Sequence, residues 1–169
     1  VVESPLGGYF IAMYSNGNNG VIAGNNGVFP SYDGTVIKLN ATGTVVEWSF
    51  NFGGTQSDFF SGIEATPDGG CAVVGRTFSP SLVLHGNSDA WVIKLTSTGV
   101  QQWQTVFGGA GADAAERIRL TPDGGYIIVG QTESNTNDFS LNRGANDVFV
   151  AKLNGTGALQ WTQTYGGSQ

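Results

Sequence analysis

Residues 89–132 read DAWVIKLTSTGVQQWQTVFGGAGADAAERIRLTPDGGYIIVGQT. Four short runs rich in β-branched and aromatic residues, at 90–95, 100–106, 116–120 and 126–131, are separated by Gly, Pro and Asp, and none keeps a helical period. The stretch predicts four β-strands. In Thr121-Pro122-Asp123-Gly124-Gly125, Pro presets φ, Asp tolerates the turn and Gly supplies the positive φ that closes a hairpin. Gly99 does the same for a second hairpin after Lys94-Leu95.

The same landmarks recur on both sides. D-x-x-x-x-K-L stands at Asp33, Asp89 and Asp147, and a Trp at 48, 103 and 161, spaced 55 and 58 residues apart. Aromatic-Gly-Gly follows at Phe52, Phe107 and Tyr165. T-P-D-G-G occurs at Thr66 and Thr121, with Ser4-Pro5-Leu6-Gly7-Gly8 as a degenerate form. The chain therefore divides into three units, approximately 1–58, 59–113 and 114–169, each expected to form a four-stranded antiparallel meander. Tight turns lie at one end of the meander. The longer connections, G-G-x-x-x-D and the Asn/Ser/Gly-rich loops 15–32, 78–88 and 133–146, share the other, and any ligand is expected there.

Composition fits this reading. Of 169 residues 27 are Gly and only 12% are charged, while 40% are hydrophobic, as expected of an all-β protein with many tight turns. The net charge of −6 and the scattered basic residues exclude a phosphate-binding stripe, so no nucleic acid partner is expected. No apolar run is long enough to span a membrane as a helix, and no membrane insertion is expected. Neither a signal peptide nor an initiator Met opens the chain, which reads as a segment of something longer. Cys71, the one cysteine, falls in an apolar run and reads as a buried small hydrophobe.

Twelve strands in one flat sheet would leave long edges and two bare faces, whereas four-stranded units solve both problems by radial stacking into a β-propeller. The pattern D-A-W-V-I-K-L-x-x-x-G-x-x-x-W-x-x-x-F-G-G-x-x-x-D, followed by P-D-G-G-Y-I-I-V-G, resembles the β-propeller repeats of large secreted and cell-surface bacterial proteins. The first copy departs from it, with Leu6 for Asp, Met13 for the Gly at 75 and 130, and Thr35 for Trp91 or Phe149. The resemblance implies an extracellular, non-enzymatic structural or adhesive module with protein or glycan partners. Three units are too few for an ordinary closed ring, so further blades of the same chain or a second copy are expected to complete it. The alternative fold is a β-trefoil, itself three four-stranded repeats.

The residues offer little chemistry. Trp48, Trp103 and Trp161 recur in step, which favours packing between sheets over sugar stacking. The recurring Asp33, Asp89, Asp147, Asp58 and Asp113 read as turn locks, with Ca²⁺ as the competing use of the same oxygens. His85 is the only histidine and no G-x-S-x-G elbow exists, so neither a catalytic triad nor a metal hydrolase is expected. Candidate contacts on the long-connection face are Asp58, Asp113, Asn137, Asp138, Asn142, His85 and Asn87. A carbohydrate-binding module using the Asn-rich loops is the alternative function, and a glycoside-cleaving propeller a third. Asn40-Ala41-Thr42 and Asn154-Gly155-Thr156 match the glycosylation pattern but fall in hairpin turns, where Asn is wanted for its backbone geometry.

Overall fold

A computed structural model describes residues 1–17, 31–82, 84–139 and 142–168. The loops at 15–32, 78–88 and 133–146 thus lie partly outside the described residues. Twelve strands run in chain order: β1 (Val2–Glu3), β2 (Tyr9–Ser15), β3 (Asp33–Leu39), β4 (Val46–Phe52), β5 (Asp58–Ala65), β6 (Cys71–Thr77), β7 (Asp89–Leu95), β8 (Gln101–Phe107), β9 (Asp113–Leu120), β10 (Tyr126–Thr132), β11 (Asp147–Leu153) and β12 (Leu159–Tyr165). A 3-10 turn at Pro80–Leu82 is the only helical element among the described residues.

The strands form three separate four-stranded antiparallel sheets, β1–β4, β5–β8 and β9–β12, each a meander in chain order. Every sheet break falls at G-G-x-x-x-D. The strands at Asp33, Asp58, Asp89, Asp113 and Asp147 begin on the Asp itself. This corrects the expected start of the third run, 116, to Asp113, and makes each Asp a strand opener rather than a residue before the strand. A side chain that caps turn N–H groups can do so from the first strand position as well as from the loop.

The tight turns close as their sequences demand. Thr66 N–H donates to Gly70 O and Thr121 N–H to Gly125 O, both at 2.9 Å, with Gly69 and Gly124 at φ 83° and 78°. A register shift at each Lys-Leu pair, Lys38/Leu39, Lys94/Leu95 and Lys152/Leu153, turns the third strand into the fourth.

Two apolar layers hold the sheets together. Phe10, Val36 and Trp48 of the first sheet pack with Phe60, Val73, Trp91 and Ile93 of the second. Ala72, Val74, Val92 and Phe107 on the reverse of the second sheet pack with Ile118, Tyr126, Ile128 and Phe149 of the third. The middle sheet is therefore apolar on both faces, which explains why β6 and β7 read as continuous apolar runs instead of alternating ones. Cys71 is buried in the first layer, and burial pushes its thiol up to about 12, with the nearby Lys94 charge opposing. That is the environment of an inert core thiol.

The repeated tryptophans follow the same geometry in two of three cases. The Trp48 indole N–H donates to Ser97 O in the hairpin of the second sheet at 3.0 Å. Trp103 meets Tyr126 of the third sheet edge-on at 5.6 Å. Trp161 departs from the expectation of packing between sheets. It is 45% exposed, because it lies on the one face of the third sheet that no other sheet covers.

Candidate ligand-binding face

The five strand-opening aspartates are buried, and Asp58, Asp89, Asp113 and Asp147 hold the long connections in place. Asp58 Oδ2 accepts from Gly54 N–H and Ser79 Oγ, both at 2.8 Å. Asp113 Oδ2 accepts from Gly109 N–H and Ser134 Oγ, both at 2.7 Å. Asp89 and Asp147 each accept an N–H from four residues back, His85 at 2.6 Å and Arg143 at 2.7 Å. Burial pushes the Asp89 carboxyl up from its ordinary value, against the His85 hydrogen bonds that stabilise its charge, and the Asp113 carboxylate adds to the rise. As turn locks these carboxylates cannot also serve as surface contacts.

Two of these carboxylates converge beside Gly108. Asp89 Oδ1 and Asp113 Oδ2 both lie within 2.8 Å of the point where a Cβ on Gly108 would sit, and Asp58, Asp89 and Asp113 each keep Oδ1 without a hydrogen bond. Yet Ca²⁺ takes six to eight oxygens. Among the described residues no group of three or more His, Cys, Asp or Glu side chains is placed to hold a metal ion.

The remaining predicted contacts fasten the loops. His85 Nδ1 is 2.9 Å from Asp89 Oδ2, and Asn87 N–H donates to Gly111 O at 2.9 Å. Asp138 Oδ2 accepts from Gly108 N–H at 3.0 Å, and Asn142 Nδ2 donates to Thr132 O at 3.1 Å. Asn137 is exposed with φ 56°, a conformation Asn tolerates better than most residues. Asn40 and Asn154 prove to be turn caps: their Oδ1 atoms accept from Thr44 N–H at 3.0 Å and Ala158 N–H at 2.9 Å.

Sequence reasoning missed a groove at the long-connection end, about 280 Å³ in volume, that crosses all three sheets. Its walls include Tyr14, Arg76 and Gln131, which occupy the same register position of β2, β6 and β10. Ser61 and Glu116 are likewise equivalent positions of β5 and β9, and Phe59 completes the wall. Tyr14 packs edge-on against Phe59 at 4.9 Å and Tyr32 at 5.7 Å, and the Arg76 guanidinium lies over Phe59 at 5.3 Å. Tyr14 is half exposed. The sequence did carry a signal: among positions that otherwise match between copies, this one holds an aromatic, a cation and an amide.

A larger cleft, about 580 Å³, opens at the opposite, tight-turn end between the second and third sheets, lined by Pro67, Asp68, Lys94, Trp103, Tyr126 and others. Size does not decide in its favour. A smaller gap, about 240 Å³, recurs at the same place between the first two sheets, lined by Leu6 where it lies against Gly69, so the cleft is a feature of sheet stacking. A second missed device lies beside it. Lys94 donates to Asp68 and Gln102 at 2.9 Å, and Lys152 pairs with Asp123 at 3.0 Å. Burial opposes the charge on Asp68, but Lys94, Thr66 and the Gly70 N–H outweigh it and hold that carboxyl below its ordinary value. Where Leu6 replaces this Asp, Lys38 turns to Glu47 at 3.4 Å, in the place where the other copies have Gln102 and Gln160.

No family model matches the chain, and no curated protein matches it either.

Proposed function

We propose that the chain is a non-enzymatic structural and adhesive module of the β-propeller type, acting at a cell surface or in secreted material. Three separate sheets stacked in chain order, the first two each sending a Trp onto the next, support radial stacking over a trefoil. No helix among the described residues is long and apolar enough to cross a membrane. The observation that carries the functional reading is the groove where Tyr14, Arg76 and Gln131 converge. A rigid scaffold presents unlike side chains there from equivalent positions, as expected of a contact surface tuned to one partner. The recurring carboxylates support a non-catalytic role because they are buried and lock turns through Oδ2.

Tyr14, half exposed beside Arg76 and Glu116, also favours a second reading in which the groove stacks a sugar ring. The test applies labelled wild type and a Tyr14→Ala/Arg76→Ala double variant to a peptide array, a glycan array and a panel of chromogenic glycosides. Retention on peptides that the double variant loses supports the adhesive reading. Retention on glycans that it loses moves the assignment to a carbohydrate-binding module. Turnover of any glycoside overturns the non-enzymatic reading.

A further inference from the structure

Each internal boundary between sheets is built from a knob and a socket. The knob is the Trp of the fourth strand; the socket is the Gly-bearing hairpin between strands three and four of the next sheet. Trp48 and Phe50 cover Gly99 so closely that a Cβ there would meet Phe50 at 2.5 Å, and the Trp48 indole donates to the Ser97 carbonyl at 3.0 Å. Trp103 covers Gly157 in the same way, with its ring 2.5 Å from the Cβ position, and packs on Tyr126 while Thr105 Oγ1 donates to Gly157 O at 2.6 Å. Both boundaries set a fourth-strand Trp over the hairpin Gly of the next sheet, with one hydrogen bond to a hairpin carbonyl, from the indole in the first and from Thr105 in the second.

The two outer sheets carry the unused halves of this joint. On the third sheet the face holding Val129, Val148, Trp161 and Tyr165 corresponds, by strand register, to Val74, Ala90, Trp103 and Phe107. Val74, Ala90 and Phe107 are at most 1% exposed, whereas the four counterparts on the third sheet are exposed by 39% to 60%. On the first sheet the hairpin Asn40–Val45 corresponds to the sockets. A Cβ on Gly43 would meet only the Tyr9 ring, at 3.9 Å, so the place filled by Trp103 over Gly157 is open over Gly43. Tyr9 corresponds to Tyr126, and it is exposed together with Met13 and Val46 on the same outer side.

We propose that the outer face of the third sheet docks on the outer face of the first sheet of a second copy of this chain, with Trp161 seated on Gly43 and against Tyr9. The inference rests on the stacked-sheet reading above. It commits to a second copy because knob and socket belong to the same chain and repeat a joint the chain already makes twice. In this joint the Trp161 indole donates to the Ala41 carbonyl, as Trp48 donates to Ser97, and Gln163 stands where Thr105 reaches the hairpin carbonyl. The contact is head-to-tail, so it closes only if the rotation per sheet allows it. Two copies supply six sheets, within the four to eight that close a ring.

Sedimentation velocity of the purified chain, with circular dichroism as the folding control, tests the proposal. The wild type is expected at twice the 17.6 kDa chain mass. Trp161→Asp and Tyr9→Glu are each expected to weaken association by about 30-fold or more, the loss typical of a central aromatic anchor. Mixing the two variants restores a dimer through the one intact joint that remains, which a symmetric Trp161-to-Trp161 contact would not do. A Trp161→Phe variant, which keeps the ring without the indole donor, retains part of the affinity if the other variants fail to fold. A wild type that stays monomeric at high micromolar concentration overturns the docking, as does a Tyr9→Glu variant that dimerises normally. Acrylamide quenching separates this from failure of the stacked-sheet reading. Protection of Trp48 and Trp103 in that monomer leaves the stacking intact, whereas equal quenching of all three motif tryptophans rejects it.

Discussion

Replacing Gly124 by Ala isolates the cost of one backbone conformation. Gly124 closes the β9–β10 hairpin at φ 78°, its N–H donating to Thr121 O at 2.9 Å, and no heavy atom lies within 4 Å of the position its Cβ would take. Sterics with neighbours therefore contribute nothing. Forcing an L-residue into this region costs about 1–2 kcal/mol. Lower entropy of the unfolded chain returns about 0.4–1 kcal/mol. The net loss is roughly 1 kcal/mol, which for a chain of this size lowers Tm by about 2–4 °C. Gly69 fills the same turn position at φ 83°, where the exposed Leu6 side chain lies against the Cβ position and can swing aside, so Gly69→Ala is expected to cost at least as much. Gly124→Asn recovers much of the loss, because Asn tolerates the left-handed region. Differential scanning calorimetry of the three variants beside Gly167→Ala, whose Cβ also meets nothing within 4 Å and whose φ is not positive, is the measurement. If Gly124→Ala melts within error of Gly167→Ala, the turn assignment is wrong.

The repeated Trp positions should separate sharply in the dilute monomer. Trp103→Ala removes a ring held between two sheets and is expected to cost about 3–5 kcal/mol in urea unfolding, while Trp161→Ala, on the uncovered face, costs well under half of that. Equal losses would show that the third sheet's outer face is covered within the monomer. Asp89 gives a pH signature. Its folded pKa is raised, mainly by burial, so the folded state holds the proton more tightly than the unfolded chain. That contribution to stability is fully present below the ordinary Asp value of 3.8 and is lost as pH rises through the folded value. Asp89→Asn keeps an acceptor for His85 and removes the charge. Its Tm is therefore expected to change less between pH 4 and pH 7 than the wild type's, and an unchanged pH profile would count against the burial argument.

Much of the fold was legible because each repeated motif performs one local task that residue chemistry dictates. T-P-D-G-G can close a hairpin without help from the rest of the chain, and the bulge at Lys-Leu likewise needs only its own two strands. The start of β9 was harder to see. Asp113, Ala114 and Ala115 carry no β-branched or aromatic residue, and they are strand because Thr132, Gln131 and Gly130 pair with them. Periodicity reports a residue's own preference, and here the partner strand decided. The groove was hidden for a related reason. Tyr14, Arg76 and Gln131 are 62 and 55 residues apart in the chain and meet only because stacking brings equivalent strand positions to one wall.

The Lys–acid pairs show how the repeats constrain one another. Lys38 and Lys94 are each about 5% exposed, inside strands where a lysine is costly unless its charge is answered. In the second and third copies the answer comes from the turn Asp; in the first, Leu6 has taken that place and Glu47 supplies the charge from β4. The two substitutions make sense only together. Leu6 leaves the ion pair and lies, largely exposed, against Gly69 of the next sheet, while Glu47 on β4 keeps the ammonium paired. Exchanging the arrangements, with Leu6→Asp and Glu47→Gln in one chain, should keep Lys38 paired by moving its acid back to the turn. Thermal melting checks this: the Glu47→Gln single variant is expected to melt below the double variant, and equal melting of the two would refute the exchange of the acid between the two positions.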